Sequence, residues 1–126
     1  MTEGDAGAAR PETAAWDEEL RRTAYQKKVV SRLPAAAILD MAVAFFAARG
    51  YRAGRTGRPN QVFVMGKGEG ILPRVTGEVN ARPDVGKPGT TLVTLDAAGE
   101  RLGPLMADFA REVRAAGRRP APPVET

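Results

Sequence analysis

Between Thr23 and Gly117 the chain switches between two hydrophobic periods. From Leu72 to Arg82 the alternation is by twos: Val75, Gly77, Val79 and Ala81 point one way, Thr76, Glu78, Asn80 and Arg82 the other. That period belongs to a strand with one buried face. From Pro34 to Arg49 the spacing becomes three and four, with Ile38, Leu39, Ala42, Phe45 and Phe46 on a single stripe. An amphipathic helix is predicted there, with Asp40 on its solvent side. Pro34 suits the first turn, pushes Leu33 towards extended geometry, and Gly50 suits the stop.

The remaining elements follow from shorter signals. YQKKVVSRL (25–33) carries β-branched Val29 and Val30 before a proline and reads as a strand ending near Arg32. A continuation of helix from Asp17 is the competing reading. Strands are predicted over about 51–56 and 61–67, joined by the turn-forming GRPN. GKGEG (66–70) reads as a second turn, PDVGKPG as a longer connection and Thr90 to Leu95 as the last strand. Pro104 then opens a helix with Leu105, Met106, Phe109 and Val113 on one face, ending near Gly117.

Residues 1–22 read as an acidic flexible tail, with Trp16 folding back over an apolar patch in a short helical turn at 16–22. PAPPVET (120–126) reads as a proline-rich tail. One α+β domain over 23–119 is expected, in the order β-α-β-β-β-β-α. Four consecutive strands make an antiparallel meander that the first strand must join, and two amphipathic helices need one apolar face. The prediction is a curved antiparallel sheet with both helices packed on one side.

SRLPAAAILDMAVAFF is similar to the strand-to-helix opening of START-like (helix-grip) domains, and the element order over 24–117 resembles the TATA-binding-protein-like architecture. The START-like resemblance implies a ligand cavity between sheet and helix. The small number of strands, and the lack of a second short helix after the first, argue against a large one.

Composition narrows the chemistry. The 126 residues include no His and no Cys, which removes imidazole bases, thiol nucleophiles, disulfides and thiolate metal sites. No pair of Asp, Glu, Lys or Tyr side chains is visibly poised, so a non-catalytic protein without cofactor or metal is expected. The N-terminus is acidic and has no apolar stretch, and Pro34–Ala48 is too short to span a bilayer; a cytoplasmic protein is expected. The net charge of +4 divides unevenly: residues 1–19 carry −5 and the remainder +9. The abundance of Ala, Arg, Gly and Pro suggests a GC-rich, bacterial genome, which raises the Arg content without functional cause.

Two surfaces stand out as candidates. Arg49, Arg52, Arg55 and Arg58 recur every third residue beside Tyr51, and guanidinium groups suit phosphates or carboxylates. A spacing of three does not hold to one face of a strand, however, so a solvated surface is the plainer reading. Thr76, Glu78, Asn80 and Arg82 share the face of their strand that points away from the helices, with Thr94 expected beside them. Glu78 is the single carboxylate among them, which suits a ligand or partner surface better than acid–base chemistry. The sequence thus favours a domain that binds a small apolar or lipid-like ligand or a protein partner, as a homodimer. Nucleic-acid or anion binding around Arg49–Arg58 is the alternative. Dimerisation follows from the uncovered sheet face and edge that so few elements leave.

Overall fold

A computed structural model describes residues 11–118. The elements are α1 (Pro11–Arg22), β1 (Tyr25–Ser31), α2 (Ala35–Ala47), β2 (Arg52–Arg55), β3 (Gln61–Glu69), β4 (Leu72–Arg82), β5 (Thr91–Ala97) and α3 (Leu102–Arg118). The five strands form one open antiparallel sheet in the order β1-β5-β4-β3-β2. The predicted α+β order is therefore the observed one, preceded by an additional helix.

β1 and β2 occupy opposite edges, so α2 crosses the whole sheet between them and α3 returns over β5 and β1. Both helices lie on the same face. Alternation supplies that face: Val62 and Val64 of β3, Val75, Val79 and Ala81 of β4, and Val93, Leu95 and Ala97 of β5 are all buried. The stripe Ile38, Leu39, Ala42, Phe45 and Phe46 of α2 meets them, as do Met106, Phe109 and Val113 of α3. Phe109 joins the helices, its ring centroid standing 5.4 Å from Phe45 and 5.6 Å from Phe46. Fully burying side chains of this size contributes about 1.5–3 kcal/mol each before entropy is counted.

β1 is anchored at both ends. Thr91 Oγ1 donates to the Leu33 carbonyl at 2.7 Å, and the Leu33 N–H donates to Ser31 Oγ at 3.0 Å, which fixes the passage from β1 into α2. At the start of β1, the Gly99 N–H donates to Thr23 Oγ1 at 2.9 Å.

Two expectations are corrected. The stretch read as a flexible tail with a short helical turn at 16–22 holds a longer helix, α1, which begins at Pro11. Trp16 and Leu20 stay 37% and 40% exposed. α1 is held instead at its C-terminal end, where Arg22 Nη2 bonds Glu19 at 2.7 Å and Glu100 at 3.2 Å. The Arg22 hydrogen bond keeps the Glu19 carboxyl below the usual carboxylate range. The second correction concerns GKGEG: β3 runs through Glu69, which pairs with Leu72, so the turn is only Gly70 and Ile71. Residues 1–10 and the tail 120–126 lie outside the described residues.

Candidate functional site

The face of the sheet opposite the helices is uncovered among the described residues. Register places its side chains in rows across the strands. Gln26, Asp96, Glu78, Phe63 and Gly54 form one row, from β1 to β2. Lys28, Thr94, Asn80 and Gln61 form the next, and Val30, Leu92 and Arg82 a third. Thr76 lies beyond the first row, opposite Met65, which in turn pairs with Arg52. The structure thus brings Thr76, Glu78, Asn80, Arg82 and Thr94 onto one surface, with Thr94 directly across from Asn80.

At the centre of this surface is a polar network. Glu78 Oε1 accepts from Gln61 Nε2 at 3.0 Å and from Asn80 Nδ2 at 3.4 Å. Gln61 Oε1 accepts from Thr56 Oγ1 at 3.0 Å, and Thr56 Oγ1 accepts the Arg58 N–H at 3.0 Å. Gln61 is only 8% exposed although it lies on the open face, because these partners enclose it. Its role depends on the β3–β4 register, which no local sequence signal shows.

Asp96 was also missed. It stands across from Glu78, so the face holds two neighbouring carboxylates rather than one. The alternation Leu92, Thr94, Asp96 along β5 was the available signal. Both carboxylates are exposed, and Glu78 already accepts two hydrogen bonds. Asp96 also lines a shallow depression of about 380 Å³ with Gln26, Lys28 and Thr94.

Beside this centre is a shallow hollow of about 320 Å³ lined by Arg52, Gly54, Arg55, Phe63 and Met65. Gly54 creates it, since no atom lies within 4 Å of where its Cβ would be. At the opposite corner, Val30 projects 68% exposed from β1.

The structure brings only two members of the arginine tract together, Arg52 and Arg55. Arg49 stacks on Phe45, its Cζ 3.5 Å from the ring centroid, and donates to the Phe45 carbonyl at 2.9 Å. Arg55 pairs with Asp40 of α2 at 3.2 Å. Arg52 borders the hollow, and the Arg58 N–H serves the turn. Arg52 and Arg55 thus share the rim of the hollow, while Arg49 and the Arg58 N–H serve separate local contacts.

The space expected to hold an apolar ligand, between sheet and helices, is filled by Phe46, Phe109, Met106, Leu95 and Leu102, each fully buried. Among the described residues no group of three His, Cys, Asp or Glu side chains is placed to hold a metal ion, and no helix is long and apolar enough to cross a membrane.

No family model and no curated protein matches the chain. Among solved structures, that of DR_A0006 from Deinococcus radiodurans is similar at 13% identity and a TM-score of 0.43, covering 75% of this chain and 98% of that one.

Proposed function

We propose that this is a non-catalytic binding module that engages a protein partner across the open sheet face, and that the partner is a second copy of the same chain. The observation that supports this reading most is the pairing of a projecting Val30 with the hollow beside Phe63, at opposite corners of one face. A two-fold axis through the centre, among Glu78, Asn80, Thr94 and Asp96, sets Val30 of each copy into the hollow of the other. Such a contact is isologous and closes on itself. It also turns Glu78 towards the partner's Lys28, so the mixed charges of the face serve complementarity.

The sheet edges are poorer docking sites. Lys27 and Lys28 sit in the middle of edge strand β1, and antiparallel pairing there would set lysines against lysines. Edge strand β2 is four residues long and has an arginine at each end. The filled interior makes a protein partner a better reading than an enclosed lipid-like ligand. Sedimentation velocity of the wild type against Thr94→Arg tests the proposal: a dimer that becomes a monomer in the variant is expected, and a wild-type monomer at about 100 μM, a concentration far above typical homodimer Kd values, would overturn it.

A further inference from the structure

A cleft of about 980 Å³, distinct from the hollow and with Val30 on its rim, lies where β1 ends beside the C-terminus of α3. The 83–90 connection between β4 and β5 forms its third wall. Four cationic side chains line it: Arg32 just after β1, Lys87 in the connection, and Arg114 and Arg118 one turn apart on α3. Among the described residues no carboxylate lines it, and none of these four forms an ion pair with a described residue. Asp84, the acid of the connection, has its Oδ1 occupied by the Gly89 N–H at 2.9 Å.

The close approach of α3 to β1 sets this geometry. A Cβ on Gly117 would stand 3.2 Å from Ser31 Oγ, closer than ordinary packing, so the helix end reaches the strand because position 117 has no side chain. Spaced by four, Arg114 and Arg118 then present on one side of the helix beside Arg32. The carbonyl end of α3 contributes roughly half a negative charge there, well short of cancelling four full positive ones.

We infer that this cleft binds a polyvalent phosphoryl anion. Like charges gathered with no counter-charge among the described residues repel one another, and an anion with several phosphoryl groups relieves that repulsion at all four positions. Three of the four cations are guanidinium groups, whose forked donors match phosphoryl oxygens. No aromatic side chain lines the cleft, so nothing there would stack on a base, and recognition rests on the phosphates.

Isothermal titration of the full chain with sodium tripolyphosphate, at about 150 mM salt so that loose surface association is screened, tests the inference. One saturable site per chain is expected. The double variant Arg32→Ala, Arg114→Ala should weaken binding about tenfold or more, while the double variant Lys67→Ala, Arg74→Ala, at the far end of the sheet, stays within about twofold. ATP should bind within a few-fold of tripolyphosphate, and Thr94→Arg should bind like the wild type, which separates this site from the sheet-face contact. Melting temperatures establish that each variant is folded. Absence of saturable binding, equal weakening by the two double variants, or a preference for ATP of more than about tenfold would each overturn the inference.

Discussion

The ring of Tyr51 occupies the space in which a Cβ at Gly66 would stand: that atom would lie 2.7 Å from Tyr51 Cδ2 and 3.0 Å from Val75 Cγ2. Tyr51 follows the end of α2 and Gly66 lies in β3, so this contact closes the end of the core where β3 and β4 extend past β2. The Tyr51 hydroxyl lies 3.5 Å from Glu69 Oε2, and Glu69 Oε1 accepts the Arg101 N–H at 2.8 Å. One tyrosine thus joins the end of one helix to the start of the next.

Gly66→Ala should destabilise the fold by about 1–3 kcal/mol, because Tyr51 is 8% exposed and its ring has little room to retreat. Urea unfolding followed at Trp16 and by circular dichroism measures it. A variant as stable as the wild type would mean the ring moves freely.

The same tyrosine predicts a pH dependence. Burial first, and then the negative Glu69, push the Tyr51 phenol above its ordinary value. Its folded pKa exceeds the unfolded one, so the neutral phenol is the form the fold favours. The associated stability is present below pH of about 10 and is lost as pH rises through the raised folded value. Comparing wild type with Tyr51→Phe isolates the effect: their melting temperatures should run parallel up to that pH and converge above it, as the wild type alone loses stability.

Phe109 holds both helices at one point, in contact with Phe45 and Phe46. Phe109→Ala should cost about 3–5 kcal/mol, the range for emptying a buried aromatic site. With only one sheet face carrying the core, a loss of that size is expected to leave the domain largely unfolded at room temperature, visible as a collapsed amide NMR spectrum.

On the open face, Glu78→Ala removes the acceptor of the nearly buried Gln61 amide. A destabilisation of about 1–3 kcal/mol is expected, the cost of an unsatisfied polar group. The further substitution Gln61→Leu should recover much of it, since both polar partners are then gone. A double variant no better than Glu78→Ala alone would show that the network is not what positions Gln61.

How far the sequence could be read depended on whether the signal was local. β4 alternates strictly and α2 carries an unbroken stripe, and the structure places both as expected. The helix α1 escaped because Trp16 and Leu20 make no buried stripe. Its helical order comes with surface pairs such as Glu18–Arg21 and Glu19–Arg22, which leave no hydrophobic period. GKGEG misled because glycines that permit a turn also permit a strand passing beneath Tyr51. The rows Glu78–Asp96 and Gln61–Asn80, and the gathering of Arg32, Lys87, Arg114 and Arg118, join residues far apart in sequence. Only strand register and helix docking reveal them.

A meeting of two copies through the sheet face can be read from intermolecular NOEs in a dimer mixed from isotope-labelled and unlabelled chains. Contacts are expected from the methyl groups of Val30, Leu92, Thr94 and Met65, with Val30 seeing Phe63 of the other copy. Intermolecular contacts confined to the outer sides of α2 and α3, or none in a sample at millimolar concentration, would contradict it.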